Sequence, residues 1–174
     1  MSNISGGLRR YLSEFSFIAS VGLRKVLFWT VFMAAIFIYT SKQTEYDFSN
    51  GIKTAKFAHY PAYKYLLSVL WAVFAYTFFA AIYELTYGKT GKKHVLLSLL
   101  FCDTIMLALL SSATGTAGAV LYLGKKGNSH DGCSKICVVF DKFCRHMEVS
   151  FGMSIFACFF LVWIILYSAG AIKQ

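Results

Sequence analysis

Four stretches of this chain, residues 17–40, 65–87, 95–123 and 151–172, are long and apolar enough to cross a membrane. Crossing about 30 Å of hydrocarbon takes roughly 20 consecutive, predominantly apolar residues in a helix. The second run is uncharged over residues 65–83 and the fourth throughout. Lipid cannot satisfy free backbone N–H and C=O groups, and none of the runs alternates every second residue as a barrel strand must, so each is expected to be a helix. Composition agrees: only 14% of the chain is charged and 18% is aromatic, whereas a soluble domain carries about 25% charged residues. So many aromatics also exclude a solvated coil. The expected fold is all-α, a four-helix transmembrane bundle at 17–172, after an N-terminal segment at 1–16. Seven residues, 88–94, join the second and third spans, which forces an antiparallel pair. No cleavable signal is expected, because the first apolar run is long and no small-residue cleavage site follows it.

Counting Lys and Arg does not orient the bundle. Eight fall on the side of the termini and the second loop, and nine on the side of the first and third loops, so the positive-inside rule is undecided. The tightest cluster, Lys89, Lys92 and Lys93, lies in the second loop. Three of the five cysteines (Cys133, Cys137 and Cys144) lie in the third loop, which suggests an oxidising face. Both termini and the second loop are therefore expected in the cytoplasm, with loops 41–64 and 124–150 outside. On this topology Asn3, in an Asn-Ile-Ser glycosylation acceptor, never meets the transferase.

Two charges stand where lipid should be. The uncharged part of the first span, 26–40, is only 15 residues, so the helix must extend backwards and carry Arg24, alone or with Lys25, below the headgroups. Asp103 lies eight residues after Val95 in the third span. A charge at the bilayer centre costs about 2.5–3.5 kcal/mol on insertion scales. On the expected topology Arg24 and Asp103 lie at similar depth and can pair across the bundle; the plainer alternative has Arg24 snorkelling to the interface and Asp103 at the helix edge. Glu84, near the end of the second span, reads as an interfacial residue. A proton or ion relay would need several such groups at mid-membrane, and none is found beyond these.

In the third span Ser111, Gly115 and Ala119 recur every fourth residue, with Thr116 and Gly118 alongside. Small residues at that spacing let helices approach closely in lipid. Packing within the chain is the default, and a neighbouring copy is the alternative.

His130, Cys133, Cys137, Cys144 and His146 could be metal ligands, but no familiar zinc spacing occurs and an exterior thiol cluster tends to oxidise. A Cys137–Cys144 disulfide around residues 138–143 is the better reading. It leaves Cys133 as a free thiol or an intermolecular bridge. Cys102 and Cys158, within spans, read as packing residues. No nucleophile elbow, phosphate loop or paired carboxylate occurs, and the four histidines are scattered over three loops, so neither catalysis nor a cofactor or metal is expected. The net charge of +9 is spread over both sides. It suits anionic headgroups and cell-surface polyanions better than a nucleic-acid groove.

Several separate segments then converge on one family. DTIMLALL (103–110), ATGTAG (113–118), GKKGNSH (124–130), TSKQT (40–44), KFAHYPAY (56–63) and CVVFDKFCRH (137–146) resemble the corresponding segments of the CASP-like proteins, relatives of the Casparian strip membrane domain proteins. The resemblance covers roughly residues 20–165 and is greatest to the family's first subgroup. It implies a MARVEL-related tetraspan protein of the plasma membrane with cytoplasmic termini. It places the family's hallmark arginine and aspartate on Arg24 and Asp103, and its two loop cysteines on Cys137 and Cys144. It further implies homo-oligomers and hetero-oligomers with related chains, and immobile scaffolds that organise a membrane domain and local cell-wall modification. Two departures stand out: residues 45–52 do not resemble the first-loop signature of the strip-forming members, and Cys133 replaces a usual tryptophan.

A non-enzymatic scaffold presenting two exterior loops is therefore the leading expectation. Tyr46, Phe48, Phe57, Tyr60 and Tyr63 of the first loop suit presentation, or an interfacial aromatic belt. The alternative is a small channel or transporter with Arg24 and Asp103 in its pathway. Against it stand spans with few polar residues and no broken helix. A membrane enzyme lacks any acid–base or metal constellation.

Overall fold

The computed structural model describes residues 2–47, 51–56, 61–87, 93–127, 137 and 140–173, with the backbone alone for 2–17, 42–47, 51–56, 93, 171 and 173. Among the described residues four long helices form a bundle: α1 (Ser2–Thr40), α2 (Pro61–Tyr87), α3 (Lys93–Lys126) and α4 (Asp141–Lys173). Each contains a segment apolar enough to cross a membrane, at Ile18–Thr40, Pro61–Tyr87, His94–Lys126 and Asp141–Gly170.

The core follows from one spacing. Ser20, Arg24, Leu27, Val31, Ala34 and Ile38 are buried on α1, alternately four and three residues apart, with Ala35 buried beside them. Leu66, Leu70, Val73, Thr77, Ala80 and Glu84 repeat the pattern on α2, and Phe143, Met147, Ser150, Ser154, Ala157, Leu161 and Ile164 on α4. A four–three alternation holds one seam of each helix toward its neighbours, as in left-handed bundles. The opposite faces carry Trp29, Phe79, Phe101, Phe156 and Trp163, all exposed; the outside is as apolar as the inside, as lipid requires.

Each helix packs on its two neighbours in a ring, with α1 against α2 and α4, and α3 against α2 and α4. The start of the α1 span, midway along the helix, meets the end of α2 through Ser20 and Glu84, and the last turns of α1 meet the first third of α4 where Ser150 Oγ donates to Ala34 O at 2.9 Å. The order is therefore up-down-up-down, with both termini and the α2–α3 connection at one end. The α1–α4 contact is the most extensive, and small residues are buried on both helices there, Ala34 and Ala35 on α1 and Ser150, Ser154 and Ala157 on α4. Phe28 of α1 stacks on Phe74 of α2, ring centroids 4.4 Å apart.

Local chemistry sets the helix ends. Pro61, the chain's single proline, opens α2 at a position where its missing N–H costs nothing. Gly127 closes α3 at φ 68°, its N–H donating to Leu123 O at 2.8 Å, the left-handed stop that glycine accepts most readily.

Three features differ from expectation. The loop placed at 41–64 contains an antiparallel hairpin, β1 (Lys42–Asp47) and β2 (Gly51–Lys56), registered Lys42↔Lys56 through Asp47↔Gly51. Helix α4 begins ten residues before the apolar run at 151, because residues 141–150 contain no breaker and already bury Phe143, Cys144 and Met147. Hydropathy marks where lipid begins, not where the helix does. Likewise α1 runs without a break through residues 2–16 of the N-terminal segment expected to be separate.

Candidate functional site

The four–three spacing places three ionisable groups inside the bundle at one level. Arg24 is 1% exposed, Asp103 0% and Glu84 4%. Arg24 and Asp103 lie on diagonal helices, and the long guanidinium side chain crosses the space between them. Its Nη1 donates to Asp103 Oδ1 at 3.0 Å and its Nη2 to Oδ2 at 2.7 Å, a bidentate fork. Its Nε donates to Glu84 Oε2 at 2.6 Å. Tyr76 Oη donates to Asp103 Oδ1 at 2.7 Å, and Ser20 Oγ pairs with Glu84 Oε1 at 2.5 Å. No described side-chain N or O atom is left buried without a partner.

This arrangement joins three helices through one side chain. Arginine suits the task because its planar fork matches a carboxylate at two points and leaves Nε free for a second. Low dielectric strengthens each bond and raises the cost of breaking any, since a lone buried ion keeps its desolvation penalty.

Glu84 is the residue that sequence reasoning misplaced. It is an interior member of the cluster, not an interfacial residue, because it falls on the same seam as Leu70, Val73, Thr77 and Ala80. Counting three and four residues onward from Leu66 reaches it, and that was the available signal. Tyr76 and Ser20, also missed, carry no charge and stand out only once their partners are known.

The stripe Ser111, Gly115 and Ala119 lies on the exposed side of α3, and a Cβ built at Gly115 meets nothing within 4 Å. Packing within the chain, the default for these residues, is thus not what the fold uses them for. The close approach falls instead on Gly118, whose added Cβ would stand 2.6 Å from the Phe151 ring of α4.

At the opposite end, Cys137 and Cys144 form a disulfide that ties the segment before α4 to its first turns. Nearby, Lys125 Nζ of α3 pairs with Glu148 Oε1 of α4 at 2.6 Å, both half exposed, and the His146 ring meets Phe37 edge-on at 5.9 Å. Among the described residues no three His, Cys, Asp or Glu side chains converge as metal ligands would. His130 and Cys133 lie outside the described residues. Cys102 and Cys158 are partly buried free thiols within spans.

Comparison with known proteins gives the same direction. The Casparian strip membrane protein domain matches residues 14–160. A CASP-like protein 1D1 of Musa acuminata is 38% identical over 159 residues, covering 85% of this chain and 83% of the relative. CASP-like protein Ni6 of Beta vulgaris subsp. maritima is 35% identical over 162 residues, covering 90% and 84%. A CASP-like protein 1D1 of Glycine max is 38% identical over 154 residues, covering 84% and 80%. No solved structure matches. With four apolar helices, a buried Arg24–Asp103 fork and a match over nearly the whole chain, the protein is a multi-pass membrane protein that belongs to the Casparian strip membrane protein domain family, alongside the CASP-like proteins.

Proposed function

We propose that this protein is a non-enzymatic plasma-membrane scaffold that self-associates, and associates with related CASP-like chains, to organise a membrane domain or recruit cell-wall-modifying partners. One observation carries the reading: the membrane-embedded charges are spent on holding the bundle together, while the small-residue stripe of Ser111, Gly115 and Ala119 faces away from it. Small residues open to lipid let a second helix approach closely, and packing plus released lipid then favour association. The Cys137–Cys144 disulfide at the end remote from the termini supports an exterior face there, with termini and the α2–α3 connection in the cytoplasm.

The channel alternative gains less support. Arg24 and Asp103 are bonded to one another and to Glu84 and Tyr76 in a packed interior, which suits a structural tie better than a pathway wall.

The test is mobility and size. A fluorescently tagged chain in a plant plasma membrane is expected to recover slowly after photobleaching and to run as an oligomer in mild detergent. Replacing Gly115 with Leu, which leaves the bundle interior untouched, is expected to shift both toward the monomer. Rapid recovery together with a strictly monomeric wild-type particle contradicts the proposal.

A further inference from the structure

Trp29 is the central residue of the α1 span Ile18–Thr40, about 16 Å of helix from either end. Tryptophan favours the membrane–water interface, where its N–H meets water. Trp29 is instead 62% exposed at mid-span, on the side of α1 opposite the buried seam. Its indole N–H has no hydrogen-bond partner among the described residues, which include the side chains of all four spans. Acyl tails contain no acceptor, and a donor left unpaired in hydrocarbon is costly. The ring is nevertheless held in place. Its centroid lies 5.8 Å from that of Phe28 and 6.1 Å from that of Phe32, both edge-on. Phe28 stacks on Phe74, and Phe74 meets the exposed Trp71 ring edge-on at 5.5 Å. An aromatic ridge thus runs along the outside of α1 and α2, with an unpaired donor at its centre.

Helix α3 presents the complement at the same depth. Exposed Ser111 stands beside the centre of the span His94–Lys126, and one turn further Gly115 has open space around it. Ser111 Oγ donates to Ala108 O at 3.0 Å, and a hydroxyl so engaged keeps its lone pairs for accepting. Copies inserted the same way in one membrane meet only at equal depth, and α1 and α3 run in the same direction. We propose that the α1–α2 aromatic ridge of one copy packs against the α3 stripe of a second copy, with Trp29 Nε1 donating to Ser111 Oγ across the contact. This rests on the self-association proposed above and names the surface that meets the stripe. A stripe packed on a stripe would leave the Trp29 donor unpaired. Because α1 and α3 are diagonal in the ring, Trp29 and the stripe lie on opposite sides of the molecule. The contact is therefore heterologous: each pair keeps one free ridge and one free stripe, and repetition extends a row of like-oriented chains.

The test is complementation between two variants, sized in mild detergent. Trp29→Ala removes the centre of the ridge and keeps the stripe; Gly115→Leu fills the stripe and keeps the ridge. Each alone is expected to be monomeric. An equimolar mixture is expected to form a one-to-one dimer and nothing larger, because only one intact ridge and one intact stripe can meet. Trp29→Phe, which keeps a ring and loses the N–H, is expected to weaken wild-type association about threefold, the scale of one interhelical hydrogen bond. A Trp29→Ala protein as oligomeric as the wild type, or a mixture of folded variants that stays monomeric, overturns the ridge-to-stripe contact. Unchanged association in Trp29→Phe overturns the hydrogen bond. The wild type decides the matter even if a variant fails to fold. In bilayers that mix chains ¹⁵N-labelled at tryptophan with chains ¹³C-labelled at serine, any dipolar coupling is between copies. A coupling that Trp29→Phe abolishes is expected, and its absence from the wild type overturns the pairing. With an oligomeric wild type, these contrary results leave the scaffold proposal standing on another interface; a strictly monomeric wild type removes both.

Discussion

Arg24 occupies a position that its neighbours on the seam, Ser20 and Leu27, would allow an apolar residue to fill, and its value lies in reach. Removing it strands two carboxylates, whereas removing Asp103 leaves Glu84 on Nε. Arg24→Ala is therefore expected to cost about 3–5 kcal/mol in reversible unfolding of the detergent-solubilised protein, and Asp103→Ala less. The double variant should be no worse than Arg24→Ala alone; fully additive losses would show that the two do not act as a pair. Arg24→Lys should not restore stability, since an ammonium cannot form the fork. Tyr76→Phe should lose about 1.5 kcal/mol, the scale of one hydrogen bond to a charged group. Arg24 and Asp103 were legible in the sequence because a charge deep in an apolar run has few harmless places to go. Glu84 was not, because a carboxylate near the end of a run commonly reaches water, and only the seam's register distinguishes the two cases.

Among the elements, the spans could be read from length and hydropathy, but their inward faces were hidden by lipid. A helix that is apolar on all sides shows little periodicity, so the polar members of the seam (Ser20, Arg24, Thr77, Glu84, Ser150 and Ser154) become the markers of the interior. Among the small residues of α3, Gly118, which stands alongside the Ser111, Gly115 and Ala119 stripe, is the one that meets α4. Gly118→Ala drives a methyl into the Phe151 ring at 2.6 Å, and overpacking of this kind costs typically 1–3 kcal/mol. Gly115→Ala, with open space around it, should leave unfolding of the monomer unchanged. Equal losses from the two glycines would contradict this packing. The early start of α4 went unseen because residues 141–150 are not apolar enough to register as a span. Their cross-link acts there: closing a separation of seven residues is worth about 2–3 kcal/mol in the chain-entropy account. Cys137→Ser with Cys144→Ser should lower the unfolding free energy by that amount, while hydrogen exchange around Arg24 stays slow.

Across the molecule, the two ends of the bundle are built differently. The end holding the termini is closed by a buried polar cluster, and the other by a disulfide, the Lys125–Glu148 pair and the β1–β2 hairpin. Between them the interior is mainly apolar, its buried hydroxyls Thr77, Thr114, Ser150 and Ser154 donating to backbone carbonyls, and the surface is aromatic, with a stripe of small residues on α3. Four helices in antiparallel succession were legible from the short 88–94 connection and the four runs. Which helices lie diagonal was not, because ring order depends on side-chain fit that no run of hydropathy encodes. The central claim is that one guanidinium spans that diagonal. It is tested most directly by solid-state NMR of the protein in bilayers, measuring dipolar coupling between ¹⁵N-labelled arginine side chains and ¹³C-labelled aspartate carboxyls. Contacts of 2.7 and 3.0 Å between guanidinium nitrogens and carboxylate oxygens predict a strong coupling that disappears in Asp103→Asn. A wild-type spectrum without it, in a folded protein, would place the two side chains apart and contradict the account.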